Sequence, residues 1–86
     1  MPTLSRFYGI EIVMYPREHN PPHFHAFYAE HEAVVDISTL RISEGALPSR
    51  AAALVLEGAA LHQQELSRAW EQRTTGRRIE PIAPLS

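Results

Sequence analysis

Three of the five histidines lie within residues 19–25, in the segment His-Asn-Pro-Pro-His-Phe-His. Histidine side chains can bind a metal ion or act in acid–base catalysis. The proline pair stiffens the backbone between His19 and the other two histidines. If the chain is extended after the prolines, His23 and His25 leave the same face, because side chains alternate along a strand. The spacing therefore predicts three imidazoles grouped at the mouth of a hairpin.

One interpretation of this group is a metal site formed by His19, His23 and His25. Neutral imidazoles are suitable ligands for zinc and nickel, and a zinc site needs three or four ligands. Glu30 or His31 could complete the shell, or a water molecule could hold an open position. The expected cofactor is a divalent transition metal.

A second interpretation is a metal-independent ribonuclease in which His23 and His25 act as general acid and base. The side chains available to orient or neutralise a phosphate are Tyr8, Tyr15, Arg6 and Arg17. A third interpretation is structural, with the histidines hydrogen-bonding to backbone groups around the turn. Residue types and spacing alone leave the three open.

Composition excludes several classes of function. The 86 residues make one domain, and their net charge of −2 gives no electrostatic case for nucleic acid or an anionic membrane. The absence of cysteine excludes disulfides and thiolate metal sites. The first residues lack the pattern of a signal peptide, and no apolar run approaches ~18 residues. A cytoplasmic protein is expected.

The first half of the chain has the short alternating runs of strands. The predicted strands are residues 6–15, 23–29, 33–38 and 41–43. In the second run, Phe24 and Tyr28 face the core if His23 and His25 face away from it.

From about residue 48 the apolar spacing becomes helical, and one long helix is predicted over 48–75. Pro48 suits its first turn, and Gly58 is the expected place for a bend. Residues 77–86 form an extended tail. The predicted fold is α+β with two layers, in which an antiparallel meander of three to four strands is followed by one long helix packed on it.

Several motifs closely resemble the bacterial family called domain of unknown function 4160. They are Met-Pro-Thr-Leu-Ser-Arg-Phe-Tyr-Gly-Ile at 1–10, His-Asn-Pro-Pro-His-Phe-His-Ala at 19–26, Ala-Val-Val-Asp-Ile at 33–37, Glu-Gly-Ala-Leu-Pro at 44–48, and Leu-His-Gln-Gln-Glu-Leu at 61–66 with Trp70. The sequence departs from the family pattern at Phe27, where an acidic residue is common, and at Glu30-His31, where glycine is common. If that acidic residue belongs to a functional site in the family, Phe27 weakens the corresponding site in this chain.

The resemblance implies a small prokaryotic cytoplasmic protein whose gene often lies beside one for the domain of unknown function 2442 family, as in toxin–antitoxin pairs. The leading hypothesis is therefore a toxin–antitoxin-type interaction module whose histidine cluster binds a divalent metal. The alternatives are the ribonuclease and a purely protein-binding partner without an active site. Association with that neighbouring protein, or with further copies of the chain, would bury additional surface.

Overall fold

The structure, a computed structural model, describes residues 3–74 and contains a five-stranded antiparallel sheet followed by two helices. The strands follow one another in the sheet in chain order. Their bounds are β1 Thr3–Phe7, β2 Ile10–Val13, β3 His23–Tyr28, β4 His31–Asp36 and β5 Arg41–Gly45, and the helices are α1 Ser49–Leu61 and α2 Gln63–Thr74. The α+β class is confirmed, whereas the prediction of three to four strands and one long helix is wrong. The predicted tail at 77–86 lies outside the described residues.

The predicted strand at 6–15 is a hairpin rather than one strand. Phe7 pairs with Ile10, and the two residues between them, Tyr8 and Gly9, both have positive φ, 48° and 78°. Positive φ at both central residues is typical of the two-residue turns that match strand twist. Asn-Gly and Asp-Gly are the usual signals of such a turn. Here the first position is tyrosine, so the sequence does not show the usual signal of this turn.

The β3 strand lies at the centre of the sheet and pairs with β2 and β4. Its Phe24 and Ala26 are fully buried, whereas His23 and His25 are only partly covered. Alternation along the strand therefore places both histidines on the face opposite the core.

The predicted helix is divided at His62 rather than bent at Gly58. His62 leaves the helical region (φ −116°, ψ 24°), while its N–H still donates to the carbonyl of Gly58 at 3.0 Å. Gly58 is buried in the middle of α1. The His62 ring contacts the Glu65 carboxylate at 2.8 Å. The layer of helices therefore contains two helices instead of the one that was predicted.

Both helices pack on one face of the sheet. Val55 and Ala59 of α1 and Leu66 and Trp70 of α2 join the sheet residues in one buried core. The amide of Gln63 donates to the Ile37 carbonyl at 2.8 Å, which anchors the start of α2 at the end of β4. Within residues 3–74, no helix is long and apolar enough to cross a membrane.

Candidate metal centre

His23 and His25 lie side by side at the start of β3, on the sheet face opposite the buried core. Their ring centroids are 5.6 Å apart, and their side chains are 15% and 12% exposed. Tyr15 packs edge-on against the His25 ring at 4.8 Å, and Phe27 lies nearly parallel to it at 6.3 Å. Aromatic neighbours therefore restrict the orientation of His25.

The loop between β2 and β3 brings the carboxylate of Glu18 to both rings. Glu18 Oε1 lies 2.6 Å from His25 Nε2, and Glu18 Oε2 lies 3.1 Å from His23 Nε2. One ligand atom from each of the three side chains can be chosen so that all lie within 4.8 Å of one another. These three residues form the candidate metal centre.

The other ring nitrogen of each histidine contacts an acceptor outside this group. His23 Nδ1 lies 2.8 Å from the carbonyl oxygen of Pro21, and His25 Nδ1 lies 3.1 Å from Glu32 Oε2. A carbonyl or an ionised carboxylate only accepts hydrogen bonds, so both contacts suit the tautomer with a proton on Nδ1. In the neutral rings the lone pairs are therefore on the Nε2 atoms that face Glu18.

With both rings neutral and protonated on Nδ1, this arrangement places two lone-pair nitrogens against a carboxylate. Each contact between Nε2 and Glu18 needs a proton between the two atoms, or a metal ion in its place. Metal-binding histidines in proteins commonly donate their second N–H to a carbonyl or a carboxylate, which sets the tautomer and the orientation of the ring. Pro21 and Glu32 are in that position for His23 and His25 respectively.

The electrostatics of Glu18 agree with its place between the two rings. Burial opposes ionisation of its carboxyl group, but hydrogen bonds from His23 and His25 and their charges outweigh it and hold the pKa below its ordinary value. This lowering belongs to the metal-free site, in which the rings donate to Glu18; the ionised carboxylate is also the form that binds a cation.

The two contacts of Glu18 with the histidines are close in length to what a metal ion requires, and the three ligand atoms lie within 4.8 Å of one another. A tetrahedral zinc ion with bonds of ~2.1 Å separates its ligand atoms by ~3.4 Å. The two contacts of Glu18, at 2.6 and 3.1 Å, would lengthen by less than an ångström. Small side-chain rotations can supply that change. Two imidazoles and one carboxylate are a donor set found around zinc and around iron(II).

The loop that carries Glu18 is held by α2. Trp70 Nε1 donates to Asn20 Oδ1 at 3.2 Å, and its ring centroid is 5.1 Å from that of His23. Arg73 stacks 3.6 Å over the Trp70 ring and donates to the carbonyl of Pro16 at 2.7 Å. The loop thus rests on the end of a helix from the other half of the chain.

His19 lies beside the centre rather than within the group of three. It is exposed, and it lines the same cavity of about 320 Å³ as Glu18, His23 and His25. The remaining residues around this cavity are Asn20, Pro21, Val34, Asp36, Ser43 and Glu44. The structure therefore brings together two of the three predicted ligands and leaves the third at the rim.

The other predicted contributors lie elsewhere. Glu30 and His31 occupy the far end of the β3–β4 hairpin, where His31 pairs with Tyr28. Tyr8 is 71% exposed and lines a separate cavity of about 290 Å³ beside the start of α1. Arg6 is paired with Glu11 at 3.1 Å. Arg17 lines a neighbouring depression that it shares with Glu18, His19, Asn20, Pro16 and Arg73.

Sequence reasoning missed Glu18 and Glu32. Glu32 is opposite Phe27 in the β3–β4 register, diagonally across from His25, so a correct hairpin register would have identified it. Glu18 lies in an irregular loop, where no periodicity indicates which way a side chain turns. Its charge and its closeness to the histidines in the sequence were the available signals.

Comparison with known proteins finds one family. The family model described as Domain of unknown function (DUF4160) matches residues 9–71, a span that contains Glu18, His23, His25 and Glu32. No curated protein and no solved structure matches the chain.

Proposed function

The chain belongs to the family Domain of unknown function (DUF4160), and because that description assigns no activity, we propose a function from the geometry. The protein is a metal-binding module in which Glu18, His23 and His25 bind one divalent transition-metal ion, such as zinc or nickel. The supporting observation is the contact of both Nε2 atoms with one carboxylate, while both Nδ1 atoms are engaged elsewhere.

Metal binding agrees better with the surroundings than metal-independent cleavage of RNA does. The residues that line the cavity include three carboxylates, those of Glu18, Asp36 and Glu44, and no arginine among the described residues. A phosphodiester in this cavity would therefore meet negative charge, and two arginines, Arg17 and Arg73, line the neighbouring depression instead. Of the side chains that the ribonuclease hypothesis offers for the phosphate, Tyr8 lines a separate cavity and Arg6 is paired with Glu11.

The test is a calorimetric titration in which Zn²⁺ or Ni²⁺ is added to protein purified without an affinity tag. Wild type is expected to bind one equivalent, whereas Glu18→Ala and the double variant His23→Ala/His25→Ala are expected to lose binding. His31→Ala is the matched control, since it removes a histidine from the far end of the same hairpin. Circular dichroism of each variant checks that the fold is intact.

Two results would contradict the assignment. Unchanged affinity in the double variant would exclude the cluster as the metal site. If the metal affinity falls in His19→Ala but not in Glu18→Ala, the third ligand would be His19 and not the Glu18 carboxylate. The single tryptophan gives a second readout. The ring centroid of His23 lies 5.1 Å from that of Trp70, so Ni²⁺ bound to His23 should quench the fluorescence of Trp70.

The ribonuclease alternative has its own test. A metal-independent enzyme would cleave RNA in the presence of a chelator, and that activity would be absent from the double variant. Cleavage with chelator that requires both histidines would favour this alternative over the metal-binding module.

We further propose that the module acts through a protein partner, as in a toxin–antitoxin pair. The gene layout implied by the family points to a member of the domain of unknown function 2442 family. The β5 strand is at an edge of the sheet and most of its residues are exposed, which suits pairing with another chain. Co-expression should give a co-purifying complex, with wild type and with the double histidine variant alike. Failure to co-purify would contradict this partner.

A further inference from the structure

The three proposed metal ligands line only part of the cavity beside them. Glu18, His23 and His25 share it with other residues, among them Asp36 and Glu44. A zinc ion with three protein ligands keeps a further position for water or another ligand, whereas structural zinc sites have four. The cavity of about 320 Å³ leaves room for such a ligand.

We propose that the bound metal has an open coordination position facing this cavity, and that it takes a small neutral ligand that donates a hydrogen bond. Water, an alcohol, an amine and imidazole belong to this class, and small anions are disfavoured. The inference rests on the proposed metal-binding function.

Asp36 is the residue that selects this class of ligand. It is directly opposite His23 in the β3–β4 pairing, so both side chains lie on the same face of the sheet as close neighbours. Asp36 Oδ1 accepts hydrogen bonds from the backbone N–H groups of Ser38 and Thr39, at 2.8 and 2.9 Å. The carboxylate is thereby held in place beside the metal position.

The charge around the cavity supports the same selection. Glu18 offsets one of the two positive charges of a divalent ion, and the carboxylates of Asp36 and Glu44 also line the cavity. An anionic ligand would approach two negative charges, whereas a neutral ligand could donate its N–H or O–H to one of them. Arg41 pairs with Asp36 across β4 and β5 but does not line the cavity.

The test uses the protein loaded with Co²⁺, whose visible absorption reports changes in coordination. The loaded protein is titrated with imidazole and, separately, with azide. Cobalt content is measured again after each titration, which distinguishes binding of the added ligand from removal of the metal. Imidazole is expected to change the spectrum at a concentration about tenfold lower than azide does.

Asp36→Asn tests the selecting role, because the asparagine oxygen can still accept from Ser38 and Thr39. This variant is expected to bind azide about tenfold more tightly than wild type and imidazole less tightly. Glu57→Gln is the matched control, since it removes the same charge from an exposed position on α1. Its affinities should equal those of wild type.

The outcomes separate the two proposals. Bound Co²⁺ with a spectrum that responds to neither ligand would overturn the open position and leave the metal-binding function intact. Tighter binding of azide than of imidazole in wild type would overturn the selection of neutral ligands, as would an Asp36→Asn variant that behaves like Glu57→Gln. Absence of Co²⁺ binding would overturn the metal-binding function, and this inference with it.

Discussion

Each histidine ring of the candidate metal centre is held through one nitrogen and presents the other to Glu18. The two rings use different acceptors, since His23 has a backbone carbonyl and His25 has the side chain of Glu32. Only the second of these can be removed by substitution. Glu32 is therefore the position at which the orientation of a ligand can be tested separately from the ligands themselves.

Glu32→Ala is expected to weaken zinc binding by about 10- to 100-fold, because His25 loses the acceptor that sets its tautomer and ring position. Calorimetric titration with Zn²⁺ measures the change. Glu30→Ala removes an equal charge from the adjacent turn and should bind as wild type does. Equal affinities of the two variants would show that Glu32 does not orient His25.

Glu11 provides a pH-dependent contribution to stability away from the metal centre. Its pKa is held below the ordinary value of 4.5 mainly by the Thr3 hydroxyl, which donates at 2.6 Å, and then by Arg6. Because the folded pKa is lowered, the stabilisation is present above the unfolded pKa and is lost as pH falls through the folded pKa.

The unfolding free energy of wild type is expected to fall between pH 6 and pH 3. In Thr3→Val this fall should be smaller. Urea unfolding at the two pH values measures it. Thr39→Val, in the β4–β5 turn, is the matched control and should keep the wild-type pH dependence. A Thr3→Val variant with the same acid sensitivity as wild type would contradict the role of this hydrogen bond.

The turns between strands, and the end of β5, contain residues in the left-handed region of φ. Gly9 and Gly45 have φ of 78° and 75°, and Tyr8, Ala29 and Leu40 also have positive φ. At Gly9 an added Cβ would make ordinary contact with the Tyr28 ring at 3.6 Å. At Gly45 it would overlap the backbone carbonyl of Glu32, which accepts the N–H of Ala46 at 3.2 Å.

Alanine at these two glycines is expected to have unequal effects. Gly9→Ala should cost about 1 kcal/mol of unfolding free energy through backbone strain. Gly45→Ala should cost roughly 2 kcal/mol or more, because the overlap with Glu32 adds to the strain. Chemical denaturation of both variants measures the difference. Equal costs would show that the end of β5 moves freely away from β4.

The helices show how a propensity argument can identify the wrong residue. Gly58 is the weakest helix former in the segment, yet it remains inside α1 and is buried. The chain instead leaves the helical region at His62, and Gln63 then donates to the Ile37 carbonyl. The break therefore coincides with the Gln63 hydrogen bond to the end of β4 and not with the residue of lowest helix propensity.

The candidate metal centre connects parts of the molecule that are distant in the sequence. Glu18 belongs to the loop after β2, the histidines belong to β3, and Trp70 and Arg73 hold that loop from α2. A metal ion bound only in the folded state would therefore stabilise the sheet, the loop and α2 together.

Zinc is expected to raise the melting temperature on the order of 10 °C at a concentration about 100-fold above Kd. Differential scanning calorimetry with and without zinc measures the shift. The double variant His23→Ala/His25→Ala should show no shift, and His31→Ala should keep it. A shift of equal size in the double variant would place the stabilising ion elsewhere.

The sequence by itself determined the α+β class and the side of the sheet on which the histidines lie. The period of two in β3 buries Phe24 and Ala26 and places His23 and His25 on the opposite face, where they are partly covered. These are local consequences of residue type and spacing, and neighbouring residues are sufficient to predict them.

Only the tertiary structure decided which residues join the histidines. The Glu18 loop is positioned by hydrogen bonds between residues 50 and 57 positions apart, from Trp70 to Asn20 and from Arg73 to Pro16. Glu32 reaches His25 through the register of the β3–β4 hairpin. No local pattern encodes the path of an irregular loop, because that path depends on a helix that packs against it from the other end of the chain.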